Sequence, residues 1–411
     1  MYNKRKIIND PVHGFISIPS ELHYDLIQHP YFQRLGRIKQ LGMSYLVYPG
    51  AQHTRFQHSL GAMFLMEEAI AQLRSRGQEI TDEEADAALA AILLHDIGHA
   101  PFSHVLEDTL TQEFSHEEIS LLMMEHINKE MGGALDLALQ IFKNQYPKKF
   151  LHQLVSSQLD MDRLDYLIRD SFFTGVVEGA VGAARIIKML NVHDDQLVVE
   201  AKGIYSVEKF LIARRMMYWQ VYYHKTSVAA EQVLIKTLAR AKELTLKGKK
   251  LFAAPQFAYF LENKITGKDF LHSDVALSNY AKFDDSDVIS AVKTWSSCDD
   301  KVLSTMCRNL MNRKLFKIEV REKKPQAGEV RDLAKRIASK LGLTEAEARY
   351  FVTIHPVSSY TYRPKNDSIK ILYADGELKD ITDASDLLNL SLISKHEKKY
   401  YFGYVKESDL Y

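Results

Sequence analysis

An adjacent histidine and aspartate, His95 and Asp96, end a stretch, Ala87 to Leu94, made only of alanine, leucine and isoleucine. With no polar position to face water, and with alanine the strongest helix former, that stretch reads as a buried helix, stopped by Gly98 and Pro101. A carboxylate is costly to bury unpaired, so Asp96 below the apolar run needs a partner. A divalent metal shared with the His95 imidazole supplies one. A lone His-Asp pair is common, but this one lies among His53 and His58 upstream and His99, His104 and His116 downstream.

The 411 residues suffice for two domains with a large core. Lysine plus arginine balances aspartate plus glutamate, 53 against 53, so no global basic field points to nucleic acid. The two cysteines, Cys298 and Cys307, have no metal-like spacing and fit a reducing compartment. The N-terminus lacks the apolar core of a signal peptide, and no run approaches the roughly 18 to 20 apolar residues that span a bilayer. A cytoplasmic protein without membrane partners is expected.

Apolar recurrence at three- and four-residue spacing predicts helices over 21–41, 53–75, 82–96, 116–130, 150–170, 180–190, 206–246, 255–262 and 284–313. A strand pair interrupts them at Val192-His193 and Leu197 to Glu200, with Asp194-Asp195 at the turn. From Leu315 the pattern alternates, and strand-like runs recur at 351–355, 369–373 and 400–405. The expected fold is mainly α, a helical body over 1–314 with a smaller α+β lobe over 315–411.

A mononuclear hydrolytic site needs nitrogen and oxygen ligands with open positions. His58, His95 and Asp96 supply three. A fourth is expected from 158–170, where periodicity does not choose among Asp160, Asp162, Asp165 and Asp170. Farther on, Arg214, Tyr218, Tyr222 and Lys225 follow four-, four- and three-residue steps along one face of the predicted long helix. Alternating cations and phenols suit a phosphate chain and a packed sugar, although a snorkelling, core-packed face has the same pattern. Arg55 and Arg163, each beside a proposed ligand, favour a polyanionic substrate.

These residues fall into ordered motifs: Thr54-Arg-Phe-Gln-His-Ser-Leu-Gly61, His95-Asp-Ile-Gly-His-Ala-Pro-Phe-Ser-His104, Ser115-His-Glu117 and Asp160-Met-Asp-Arg-Leu-Asp-Tyr166. Together they closely resemble the HD-domain phosphohydrolases, most of all the deoxynucleoside triphosphate (dNTP) triphosphohydrolases. The resemblance opens at Ile8-Asn-Asp-Pro-Val-His-Gly14 and Phe32-Gln-Arg-Leu35, includes Lys39-Gln-Leu-Gly42 and Tyr48-Pro-Gly-Ala51, and runs through Tyr222-Tyr-His-Lys225. It implies one divalent metal per subunit (Mn, Fe, Ni, Zn or Mg) on His58, His95, Asp96 and Asp162. It places Arg55, His99, Arg163, Tyr166 and Lys225 on phosphates, and Gln40 and Asp170 on the sugar 3′-hydroxyl. Leu41 and Arg214 join the substrate contacts. Tyr222 would pack where a ribose 2′-hydroxyl must go, and Tyr218 stands where the animal enzyme of this family has histidine. His104 and His116 would line the reacting phosphorus, with Glu107 orienting His104 where the family has aspartate. The implied reaction releases deoxynucleoside and intact triphosphate.

The alternatives are another nucleotide or phosphoester as substrate, or a nucleotide sensor without turnover. His104-Val-Leu-Glu-Asp-Thr109 is similar to the guanosine-tetraphosphate hydrolase signature, but Val105 replaces its aspartate. The family also implies a homo-oligomer, dimer or tetramer, with regulatory nucleotides between subunits. Lys6, Asn9 and Gln33 match that site, whereas Gln28 replaces the guanine-reading aspartate and Gly36 an arginine, so activation strictly by guanine nucleotides is not expected.

Overall fold

A computed structural model of the protein describes residues 6–102, 106, 115–359, 362, 368–386 and 397–409. The fold is mainly helical with small sheets. It opens on a hairpin, β1 (Ile7–Asp10) and β2 (Gly14–Ser17). Asp10 Oδ1 closes its turn by accepting from the Val12 and His13 amides at 3.0 and 2.9 Å. The predicted helix over 21–41 is shorter: α1 (Glu21–Gln28) stops before Pro30, and short turns follow to Leu46.

Four helices frame the core beneath the site: α2 (Arg55–Ser75), α3 (Asp82–Leu94), α4 (His116–Glu130) and α5 (Met161–Thr174). Each starts on a cap. In α3, Thr81 accepts from the Glu84 amide while Glu84 Oε2 accepts from the Thr81 amide at 2.8 Å. The 87–94 run is buried throughout, and its helix ends at Leu94, which puts His95 and Asp96 in the turn beyond. Gly98 lets that turn approach α4: a Cβ there would lie 2.2 Å from the Ser120 nitrogen. Ser120 Oγ donates to the His95 carbonyl and accepts from the Gly98 amide.

The predicted hairpin is β3 (Leu190–His193) and β4 (Gln196–Glu200), and Asp194 and Asp195 take the positive φ values, 47° and 61°, that a two-residue turn requires. The long helix expected over 206–246 is instead two, α6 (Ile204–Met217) and α7 (Lys225–Leu246). Between them Tyr218–Tyr222 form a π turn, closed by the Tyr223 amide on the Tyr218 carbonyl at 2.7 Å. His224 then leaves helical geometry and caps α7 through its ring nitrogen. Arg214, Tyr218, Tyr222 and Lys225 therefore do not share one continuous stripe. The predicted 284–313 helix also divides, into α8 (Asp285–Trp295) and α9 (Lys301–Met311).

In the C-terminal segment, β5 (Lys317–Arg321), β6 (Val352–Ser359) and β9 (Glu397–Tyr404) form an antiparallel sheet in the order β5-β9-β6. Two further strands, β7 (Lys370–Leu372) and β8 (Leu378–Asp380), extend the β3-β4 hairpin, with β7 parallel to β4. Arg240 on α7 pairs with Asp300 and Glu347 and so adds an ionic tie across the same region. Among the described residues no helix is long and apolar enough to cross a membrane.

Candidate metal centre and substrate cavity

Three side chains from three segments meet at one point: His58 from α2, His95 from the turn after α3, and Asp162 from α5. One ligand atom of each lies within 4.8 Å of the others. His58 Nε2 is 3.1 Å and His95 Nε2 3.5 Å from Asp162 Oδ1. Asp96 adjoins them, with Oδ1 3.4 Å from His95 Nε2 and Oδ2 3.8 Å from His58 Nε2.

The other ring nitrogens decide what those atoms can do. His58 Nδ1 donates to Asp165 Oδ2 at 2.8 Å, and His95 Nδ1 donates to the Ile92 carbonyl at 2.6 Å. In the neutral imidazoles both protons are thereby held on Nδ1, which leaves each Nε2 its lone pair. Neither Nε2 has a hydrogen-bond partner, although both are buried. Two imidazole lone pairs and a carboxylate oxygen aimed at one another repel unless a cation lies between them, and this mixed nitrogen-oxygen set suits a divalent metal. The field has the same sign. Burial disfavours the imidazolium of His58, yet Asp162 and Asp165 outweigh it and push its pKa up to about 10, so Nε2 draws a positive charge, and a metal there would take the place of a second proton.

Behind His58 lies a largely buried network. Asp165 accepts from His13 Nε2 at 2.6 Å and from Arg169 Nε and an Arg169 terminal nitrogen at 2.8 and 2.9 Å, while Arg169 also reaches Asp10 at 2.7 Å. The N-terminal hairpin thus orients a site residue far along the chain. Close crossing of α2 and α5 makes this possible, because a Cβ on Gly61 would sit 2.0 Å from Asp165 Oδ1. Arg34, also buried, donates to the carbonyls of Ile97, His99 and Phe283 and pins the turn after Asp96. Asp10, His13, Arg34 and Arg169 escaped the sequence reading as supports of the site. Their only signal was their place in or near ordered motifs.

A cavity of about 790 Å³ opens from this cluster. Its lining includes Gln40, Leu41, Arg55, His95, Asp96, His99, His116, Asp162, Arg163, Tyr166, Asp170, Tyr218 and Tyr222, all expected at the site. Arg55 contacts Asp96 Oδ2 at 2.5 Å. Burial opposes ionisation of Asp96, but the hydrogen bond from His99 and the charges of His95 and Arg55 hold its carboxyl well below the usual range. Burial and the adjacent Arg55 push His99 down to about 3, so at neutral pH the ring carries a single proton, which Nε2 shares with Asp96 Oδ1 at 3.2 Å. Its ring stacks on His116 at 3.9 Å. Asp160 caps α5 and pairs with Arg163. Asp170 accepts from His53 at 2.7 Å and from the Tyr222 hydroxyl at 2.8 Å.

Arg214 stands outside the lining and bonds Gln158 at 3.0 Å, and Lys225 is exposed and also outside it. Tyr223, Gln232 and His355 line the cavity without having been expected there. His104 and Glu107 lie outside the described residues. Lys6 sits over the Tyr24 ring, Gln33 donates to the Ile27 carbonyl at 2.7 Å, and Asn9 is exposed on the hairpin.

Residues 55–170 match the family model described as HD domain, and 181–258 the one described as HD associated region. The chain is 32% identical to the uncharacterised protein YwfO of Bacillus subtilis, over 98% of this chain and 93% of that one. It is 59% identical to a phosphohydrolase of Bacteroides thetaiotaomicron whose crystal structure superposes with a TM-score of 0.96 over 98% of this chain and all of the other. A Dictyostelium discoideum protein named deoxynucleoside triphosphate triphosphohydrolase SAMHD1 homolog is 32% identical over 58% of this chain, which spans half of that protein's length.

Proposed function

The chain belongs to the HD-domain phosphohydrolases, and from that premise we propose that it cleaves dNTPs to deoxynucleoside and inorganic triphosphate. The observation that carries this reading is the set of groups gathered in one cavity. Arg55 and His99 contact Asp96 of the His58, His95, Asp96 and Asp162 cluster, Arg163 adjoins Asp162 in the chain, and Tyr166, Tyr222 and Asp170, linked by contact, line the same cavity. The likeness of residues in the HD region to a named dNTP triphosphohydrolase supports the same substrate class.

His58, His95, Asp96 and Asp162 are proposed to hold one divalent metal, which when bound polarises a phosphoryl oxygen and lowers the pKa of water. The chain's own residues do the rest. Arg55 and Arg163 neutralise phosphate charge, and His99 lines the cavity with them. The Tyr222 hydroxyl is taken up by Asp170, so its ring offers no partner to a sugar hydroxyl packed against it. A 2′-hydroxyl desolvated there costs roughly 1–3 kcal/mol, one to two decades of discrimination.

The test is to incubate metal-replete protein with each dNTP and with GTP and ATP, and to separate the products by anion-exchange chromatography. Deoxynucleoside plus triphosphate, with ribonucleotides slower by about tenfold or more, is the expected result. Nucleoside monophosphate plus pyrophosphate, or equal turnover of GTP and dGTP, would overturn the reading.

A further inference from the structure

The π turn at Tyr218–Tyr222 has no counterpart elsewhere among the described helices, and it carries two of the tyrosines that line the cavity, Tyr218 and Tyr222. Such a turn is less stable than continuous α-helix, so it persists where neighbouring structure holds it, and it marks functional sites more often than chance. Here it is gripped from two sides. From the body, the Tyr48 hydroxyl donates to the Gln220 carbonyl. From the C-terminal sheet, the Tyr401 hydroxyl on β9 donates to the Tyr223 carbonyl at 2.8 Å, and the Tyr223 hydroxyl donates to the Ser358 carbonyl on β6 at 3.1 Å.

Apolar packing reinforces these bonds. Tyr401, Val357 and Val228 form a small buried cluster of their own, and Trp219 and Tyr223 pack against it. Lys399 Nζ lies 4.3 Å from the centre of the Trp219 ring. Inside the turn the rings are in mutual contact: Tyr218 is 5.2 Å from Tyr222 and 5.5 Å from Tyr223, and Tyr222 is 6.1 Å from Tyr166. A shift of the Tyr223 backbone therefore moves Tyr222 relative to Asp170. His355, directly across from Tyr401 in the β6-β9 register, itself lines the cavity.

We propose that the C-terminal sheet sets the sugar-facing wall of the catalytic cavity, with Tyr401 as a positioning residue that clamps the π turn. The functional half of this inference rests on the dNTP reading above, and the structural half does not. Tyr401→Phe removes one hydroxyl and little volume, so the variant should fold. Tyr404→Phe is the control: it sits on the same strand, but its hydroxyl bonds Glu319 at 2.7 Å, away from the turn.

The first readout is amide hydrogen exchange of peptides spanning 218–228 in the metal-replete protein. Loss of one neutral hydrogen bond should speed exchange there by about threefold to tenfold in Tyr401→Phe and leave Tyr404→Phe at the wild-type rate. The second is the ratio of kcat/KM for dGTP over GTP, which should fall about threefold or more in Tyr401→Phe alone, with metal content unchanged. Wild-type exchange over 218–228 in Tyr401→Phe, or equal effects of the two substitutions, would overturn the inference whether or not the protein hydrolyses dNTPs. Failure of the wild type to hydrolyse any dNTP would overturn the functional reading and leave the exchange result to decide the clamp.

Discussion

Asp165 is not in the proposed ligand set, yet Asp165→Asn should weaken metal binding. The carboxylate accepts four hydrogen bonds, from His13, His58 and two Arg169 nitrogens. An amide has one acceptor oxygen, so it cannot satisfy them all, and its NH2 group can donate to His58 Nδ1. That moves the His58 proton to Nε2 and removes the lone pair a metal needs. Losing such a support typically costs 10- to 100-fold in metal affinity, about 1.4 to 2.7 kcal/mol. The fold is weakened as well. Removing one partner of a buried ion pair costs roughly 3–5 kcal/mol, and the low end is expected because Asp10 still meets Arg169. Calorimetric titration of chelator-stripped protein with Mn²⁺ measures the first quantity, and urea denaturation of both apo forms the second. Wild-type Mn²⁺ affinity in a folded Asp165→Asn protein would refute the argument from the His58 tautomer.

Gly61→Ala should be worse than an ordinary overpacked position, at or above the top of the usual 1–3 kcal/mol, because its Cβ would lie 2.0 Å from Asp165 and 2.1 Å from Arg169. Urea denaturation checks the stability, and Mn²⁺ titration should show a parallel loss of affinity. Burial raises the Asp285 carboxyl to about 6 despite its bonds from the Lys39 and Phe102 amides. The native state therefore holds a proton that the unfolded chain releases near pH 4, and stability falls as pH rises from about 4 to 6. Measured against Asp285→Asn at each pH, wild type should lose on the order of 2–3 kcal/mol across that window, and a flat difference would count against it.

The body was legible wherever one local pattern forces one structure. Ala87 to Leu94 admits only a buried helix, and Asp194-Asp195 supplies the left-handed residues of a tight hairpin. The π turn was not legible, because steps of four, four and three residues from Arg214 read the same whether or not an extra residue loops out. Nor was the parallel pairing of β4 with β7, which joins segments about 170 residues apart and has no local signature.

The four acids of 158–170 show why periodicity stalled at the site itself. All lie on or beside α5, yet no two do the same thing. Asp160 caps the helix, Asp162 faces the histidines, Asp165 orients His58, and Asp170 holds His53 and Tyr222. Spacing along one helix cannot separate these roles, because the partners that define them come from β1, the hairpin turn, α2 and the π turn. Those partners also divide the cavity into ends held by different physics. The metal end is stiffened by buried charge, where His13, Arg169 and Asp10 fix Asp165 and through it one lone pair of His58. The end proposed to take the sugar is stiffened by neutral bonds to backbone, where Tyr48 and Tyr401 hold the π turn. Losing one partner of a buried charge network costs several kcal/mol at once, whereas a backbone clamp can relax by degrees. On the proposed function, variation that tunes which sugar is accepted belongs at the C-terminal sheet, and variation at the N-terminal hairpin acts first on the proposed metal site.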